Sequence, residues 1–338
     1  KKLEEEEMAI TAAMVKELRE MTGAGMMDCK KALVECNGDQ QAAIDYLRKK
    51  GQKIAMKRAD REATEGCVIS KATEDHKFAA VIMLNCETDF VGANADFVCT
   101  TKQLLDFAVE NRIKDIEALN AATINGMSIE AIVTDLTAKT GEKVQVGKYF
   151  AVEGEFVTNY NHQGNRLATI VAFNKSFEGI NEVAHEVALQ IAAMDPVAID
   201  ENDVPQETKD NEYKVAIEKT KQEQIQKAVE VALKKAGINP AHVDSDDHIN
   251  SNMAKGWITE EDAAKAREIK EQVAAEKAGN LNTTMLENIA KGRLAKFFKE
   301  NCLLDQVSLI ADPKTVREYI QAGDKEATVT AFNRIKLG

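Results

Sequence analysis

Apolar residues recur at helical spacing in some stretches of this chain and gather into short β-rich runs in others. The changes of pattern mark its organisation. Over residues 8–51 there are three bursts at three- and four-residue spacing: Met14, Val15, Leu18 and Met21; Cys29, Ala32, Leu33 and Cys36; then Ala43, Ile44 and Leu47. Each burst places its members on one face of a helix. Thr11 stands where an N-cap is needed, and Thr22-Gly23-Ala24-Gly25 breaks the first helix, since glycine adopts positive φ at little cost. Asn37-Gly38 stops the second helix, and the third runs from Asp39 to Gly51. Residues 53–66 carry Lys53, Lys57, Arg58 and Arg61 without an apolar face, and read as a charged linker.

Strand signals follow at 67–71 and 78–85, joined at Glu74-Asp75-His76 as a hairpin. Amphipathic helices are predicted at 97–109 and 129–139. Strands follow at 144–152, 155–160 and 166–173, with the polar turn "NHQGN" before the last, and then a helix at 180–194. "HKFAAVIML" leading to helix 97–109 echoes "NRLATIVAF" leading to helix 180–194. The echo predicts two related subdomains, the first over 67–143 and the second over 144–200 together with 303–338.

Asp195-Pro196 and Pro205 open a different regime. Long charged helices at 207–236, 259–278 and 283–301 carry a narrow apolar seam, with Tyr213, Ile217, Ile225, Val229 and Leu233 on the first. "HVDSDDHINSN" between them reads as loop. Residues 201–302 are therefore expected as an inserted helical module of coiled-coil character, and helices 207–299 offer a seam through which two copies could pair. The tail returns to mixed structure, with a strand at 307–310, a helix after Pro313 and a closing strand at 327–335. The expected fold class is α+β: a three-helix N-terminal bundle over 8–52, a two-subdomain core with antiparallel strands, and the helical insertion.

Charge narrows the function. The chain has 338 residues and a net charge of −12, which repels phosphate backbones and anionic lipid surfaces and so argues against direct nucleic-acid or membrane binding. No apolar run approaches a membrane span, and a soluble cytoplasmic protein is expected. Cys29, Cys36, Cys67, Cys86, Cys99 and Cys302 form no CxxC pair, so reduced thiols are expected, with neither a metal nor a cofactor. "KKLEEEE" ahead of Met8 reads as a non-native or disordered arm over 1–7, with Met8 as the start.

Several constellations invite a chemical reading and fail it. "GAGMMDCKK" lacks both the spacing of a phosphate loop and a preceding strand, and "DSDDH" lacks the glycine and closing glutamate of a calcium loop. His185, within "EVAHEVALQIAAM", is expected as a buried or half-buried structural residue. Of Met26 and Met27, one is expected to point into the bundle and one outward. Cys86, Asp89 and His162 could be drawn as nucleophile, orienter and base, but no pattern ties them together.

"NCETDFVGANADF", residues 85–97, poses the sharper question. After the apolar run at 78–84, Phe90 falls in a segment too rich in Asp, Asn and Gly to be strand, where water is the default neighbour of its ring. "VKELREMTGAGMMDCKKAL", then "NCETDFV", then "NHQGNR", closely resemble, in that order, the elongation factor Ts family, the nucleotide-exchange partners of the GTPase elongation factor Tu. The resemblance implies a ubiquitin-associated-like bundle, a two-subdomain core and a projecting helical module. It implies binding to GDP-bound and nucleotide-free elongation factor Tu, release of GDP and magnesium, and no covalent chemistry. By the same resemblance Asp89 and Phe90, flanked by Thr88 and Val91, form a tip pressed into the GTPase near its magnesium site. His162 lies against the GTPase, and Arg19, Met26 and Met27 form the face that docks on its nucleotide domain. Gly141 belongs to a further contact, where Thr140 stands in place of the apolar residue many members carry. An adaptor that tethers proteins without altering nucleotide affinity is the alternative from another class.

Overall fold

The Thr11 hydroxyl accepts the Met14 N–H at 3.3 Å and opens α1 (Ala12–Thr22). Gly23 closes it at φ 64°, and α2 (Met26–Glu35) and α3 (Gln40–Lys57) follow. The structure, a computed structural model, describes residues 10–338. The expected arm at 1–7 and start at Met8 lie outside the described residues. Val15, Leu18, Cys29, Ala32, Leu33, Ala43 and Leu47 form the bundle's own core. The third helix does not stop at Gly51 as expected but continues to Lys57, so it crosses from the bundle into the charged segment. The reason lies in packing. Gly51 is buried, and a Cβ there would stand 2.8 Å from the Thr134 carbonyl oxygen, so this glycine permits close helix approach rather than a turn.

β1 (Glu65–Ala72) and β2 (Phe78–Cys86) pair antiparallel from Glu65↔Cys86 to Ala72↔Ala79. All nine β2 residues are buried. Phe78, Ala80, Ile82, Leu84 and Cys86 join the core beneath the helices, whereas Ala79, Val81 and Met83 join a second core with Val157, Ala168, Ile170, Ala172 and Ile335. Burial on both faces explains why this strand reads as a continuous apolar run. The chain then forms α4 (Asp89–Gly92), α5 (Ala95–Glu110), α6 (Ile116–Ala121), the short hairpin of β3 (Thr123–Ile124) and β4 (Met127–Ser128), and α7 (Ile129–Thr140). β5 (Gln145–Glu153) pairs antiparallel with β2 and completes the sheet β1-β2-β5. Sheet membership therefore groups β5 with the first subdomain's strands, where the sequence division at 143/144 had grouped it with the second. β6 (Phe156–Asn161), β7 (Leu167–Phe173) and α8 (Ile180–Met194) follow.

Asp200–Asp305 form a separate compact unit. It contains α9 (Gln206–Lys235), α10 (Asp246–Ala254), α11 (Glu260–Gly279) and α12 (Thr283–Asn301). α10 replaces much of the loop expected over "HVDSDDHINSN": Ser245 caps it by accepting the His248 N–H at 3.2 Å. Val229, Leu233, Ile238, Val243, Ile249, Ile258, Ala263 and Ala266 form this unit's core, and α9 packs along both α11 and α12 of the same chain. Much of the apolar seam on α9 is thus covered internally.

The chain returns to the first unit at Gln306–Gly338, with α13 (Val316–Gln321) and β8 (Val329–Lys336). Residues 307–310 make no strand. Val307 forms a single bridge with Thr315, and the Leu309 N–H donates to the Gln190 side-chain oxygen at 2.9 Å, so this stretch is tied to α8 instead of to a sheet. β8 pairs with β7 and completes the second antiparallel sheet, β6-β7-β8. β2 and β7, whose sequences echo each other, are each the central strand of their sheet.

Candidate partner-docking surface

The turn after β2 is where the exposed ring sits. Thr88 caps α4, its hydroxyl accepting the Val91 N–H at 3.4 Å, so residues 89–92 form a single helical turn rather than the loop their composition suggested. The turn is pinned from below. Val91 packs against the core, and Gly92 is buried over Gly66, where a Cβ would meet the Gly66 carbonyl oxygen at 2.7 Å. With those two facing inward, helical geometry turns Phe90 outward, and it is 85% exposed. Asp89 beside it is also exposed. For a large aromatic side chain this is unusual, because most bury their area at home.

Two carboxylates hold the base of the tip. Glu142 accepts the Glu87 and Thr88 N–H groups, each at 3.0 Å on one oxygen, and the Thr88 hydroxyl at 2.6 Å on the other. Glu87 returns the grip: it accepts the Lys143 N–H at 2.7 Å and takes both carboxylate bonds from Arg58, at 2.8 and 2.7 Å. The Lys143 N–H and then Arg58 hold the Glu87 carboxyl below its ordinary value. Gly141, with φ 72°, ends α7 and delivers Glu142 to this position. Neither glutamate nor Arg58 was singled out from sequence. Glu87 and Lys143 lie 56 positions apart, and no local pattern links them.

The His162 turn is brought to the same end of the core. The Asn159 and Asn161 side chains act as an artificial strand along the edge of β1. Their amide oxygens accept the Ala72 and Ser70 N–H groups at 3.0 and 2.6 Å, and both donate back to the Ser70 carbonyl. Val68 N–H donates to the Asn165 carbonyl at 2.7 Å, and Arg166 pairs with Glu65 at 2.6 Å. Glu65 stands opposite Cys86 in the β1–β2 ladder, so its pairing with Arg166 sets the His162 turn at the end of β1 from which the chain leads into the Phe90 tip. His162 is exposed, with its Nδ1 2.9 Å from the Tyr160 hydroxyl. His185 is exposed too, contrary to expectation. The buried stripe of α8 runs through Ala184, Val187, Ala188 and Ile191, which leaves His185 outside it with its ring edge-on to Tyr160.

On the bundle, Arg19 is exposed, and so are both methionines, Met26 at 56% and Met27 at 77%. The even division expected between them does not occur, because Cys29, Ala32 and Leu33 already fill the inner face of α2. Met21 and Val34 add to the exposed apolar surface. This face adjoins the rest: the Lys139 side chain of α7 lies over Gly23, α7 leads through Gly141 to Glu142, and Glu142 holds Thr88. The nine residues singled out from sequence, Arg19, Met26, Met27, Thr88, Asp89, Phe90, Val91, Gly141 and His162, thus belong to segments linked by direct contacts. Val91 alone among them points partly into the core.

The chemical alternative finds no support in this geometry. The Cys86 thiol donates to the Thr88 carbonyl at 3.1 Å and is pushed up to about 12, by burial first and then by the Glu142 charge, so at neutral pH it is the protonated, poorly nucleophilic form. Among the described residues no group of three or more His, Cys, Asp or Glu is placed to hold a metal ion. No helix among them is long and apolar enough to cross a membrane.

Comparison with known proteins gives the family. The family model described as Elongation factor TS matches residues 87–234 and 219–338. The chain is 56% identical to elongation factor Ts of Phocaeicola vulgatus over 331 residues, covering 98% of this chain and 99% of the relative. The same identity and coverage hold for elongation factor Ts of Parabacteroides distasonis. Elongation factor Ts of Flavobacterium psychrophilum is 38% identical over 97% of this chain and 99% of its own length. At that identity and coverage, the chain belongs to the elongation factor Ts family.

Proposed function

We propose that this chain binds elongation factor Tu and promotes release of GDP from it, returning the GTPase to its GTP form during translation elongation in the cytoplasm. The observation that carries this reading is Phe90, a ring 85% exposed on a one-turn helix whose neighbours are locked beneath it. A ring held out in the free protein loses little freedom when it enters a pocket on a partner, and burying it contributes about 2 kcal/mol or more. In this reading Asp89 and Phe90 press between helices near the magnesium site of the GTPase, and displacement of the metal weakens the electrostatic hold on GDP. Arg19, Met26 and Met27 dock the bundle on the nucleotide domain, and His162 and the Gly141 turn make flanking contacts. The methionines suit that role, being soft and adaptable to an imperfect surface.

The chain acts by coupling, not by covalent chemistry. Whatever its binding takes from the affinity of elongation factor Tu for GDP, GDP takes equally from the affinity for this chain. A tethering adaptor would bind the GTPase with an affinity indifferent to GDP, and would leave a projecting Phe90 without a task.

Affinity of the chain for elongation factor Tu, titrated with and without saturating GDP, tests the reading. Binding that weakens as GDP is added, together with accelerated GDP release, supports exchange. Binding of equal strength in both states hands the case to the adaptor.

A further inference from the structure

We infer that Glu142 is a positioning residue for exchange, the latch that holds the Phe90 tip in its projecting shape. The inference rests on the exchange reading above and assigns within it a residue that acts through the backbone and hydroxyl of the tip's own chain. One Glu142 oxygen receives two N–H groups, from Glu87 and Thr88, and the other receives the Thr88 hydroxyl. Hydrogen bonds to a charged acceptor are the strong ones, and three converge here on the two residues that lead into α4.

The hydroxyl bond has a further effect. Thr88 caps α4 by accepting the Val91 N–H, which requires that its oxygen lone pairs, not its proton, face the helix. Glu142, as a pure acceptor, takes the hydroxyl proton and so orients the cap. α4 is only four residues long, too short to persist without such support. Glu142 also follows Gly141 at the end of α7, the helix on which α3 docks through Gly51. The latch thereby fixes the Phe90 tip to the element that carries the bundle, so that both partner-facing surfaces are presented in one geometry.

Release of a fluorescent GDP analogue from elongation factor Tu, followed against the concentration of the full chain, separates the saturating rate from the half-saturating concentration. Glu142→Ala should lower the saturating rate about tenfold and move half-saturation less than about threefold, because the bundle and His162 still dock. Glu142→Gln keeps an oxygen for the two N–H groups but turns an amide donor toward Thr88, and should lose about threefold. If Glu142 acts through the ring, Glu142→Ala should cost less than about twofold in a Phe90→Ala background. Equal losses in both backgrounds would overturn the latch.

Amide hydrogen exchange in the free chain decides the same point without the partner. The Glu87 and Thr88 amides should exchange at least about tenfold faster in Glu142→Ala. Unchanged protection there would also overturn the latch, whatever the release kinetics. Should Glu142→Ala fail to fold, Glu142→Gln keeps an acceptor for the two N–H groups, withdraws it from the Thr88 hydroxyl and should speed exchange of the Val91 amide, whereas exchange there at the wild-type rate would overturn the latch. A wild-type chain that did not accelerate GDP release would sink the exchange reading instead, and the amide measurement would still settle whether Glu142 holds the tip.

Discussion

Gly92 lies so close over Gly66 that a Cβ on it would stand 2.7 Å from the Gly66 carbonyl oxygen. The obstacle is backbone and cannot rotate away. Gly66 is equally constrained, with φ 148° and the Leu84 carbonyl 2.0 Å from where its own Cβ would be. This glycine-on-glycine contact lets α4 lie flat on β1 and turns Phe90 to solvent. Gly92→Ala should therefore destabilise the chain by about 1–3 kcal/mol and lift the tip. Urea denaturation reads the first effect. A loss of GDP release out of proportion to the loss of stability reads the second.

A second expectation concerns the reach of α3 into α7. A Cβ on Gly51 would stand 2.8 Å from the Thr134 carbonyl and 2.9 Å from the Ala138 Cβ, so any larger residue must part the two helices. Gly51→Val should loosen the bundle without unfolding the sheets, since the bundle's core is its own. The outcome to look for is faster proteolysis near residues 52–64, with a thermal transition for the remainder close to that of wild type. A single transition shifted as a whole would mean that the bundle and sheets unfold together.

The Glu87 carboxylate gives a pH dependence with a defined sign. Its folded pKa lies below the ordinary 4.5, through the Lys143 N–H and then Arg58. A carboxyl depressed on folding contributes stability above its unfolded pKa and loses it as pH falls through the folded value. Wild type should thus be more stable than Glu87→Gln at neutral pH, and the gap should close as pH falls below 4.5. Melting temperatures of both proteins between neutral and acid pH check this. A gap that widens on acidification would contradict it.

Thiol reactivity separates the surface account from cysteine chemistry. Cys99 is exposed, whereas Cys86 is buried with its thiol pushed up to about 12. Iodoacetamide at neutral pH should modify Cys99 first and leave Cys86 intact in the folded chain. Nucleotide exchange should survive that modification. Peptide mapping after brief treatment gives the order of reaction.

The comparison between sequence and structure follows the range of the forces involved. Helices such as α8, the cap at Thr11 and the start of the third helix at Asp39 were legible because period and capping are local. Gly51 was misread as a stop, because the reason for that glycine lies on a helix more than eighty positions away. The strand expected at 307–310 failed for a similar reason: Gln190 supplies the hydrogen bond that a neighbouring strand would have given. His185 and the methionine pair show the limit of a helical stripe, which ranks faces but does not say how wide the buried face is. Phe90 was legible as an anomaly in its setting, and the family resemblance gave the anomaly a use. Glu142, Glu87 and Arg58 left no trace, because what matters about them is whom they meet.

The bundle face carries its own expectation. Met26 and Met27 are exposed and contribute little to the core, so replacing both by alanine should leave the melting temperature nearly unchanged. The half-saturating concentration for GDP release should rise about tenfold, with a smaller change in the saturating rate. A fall in stability would show that the pair supports the bundle and does not serve a partner.

The central claim is that the projecting ring of Phe90 drives nucleotide release, and the most direct measurement is the rate at which a fluorescent GDP analogue leaves elongation factor Tu at saturating concentrations of the wild-type and Phe90→Ala chains. The account predicts fast release with wild type and a rate at least about tenfold slower with the variant, although the variant still binds and melts at the wild-type temperature. Release by Phe90→Ala at the wild-type rate would contradict it.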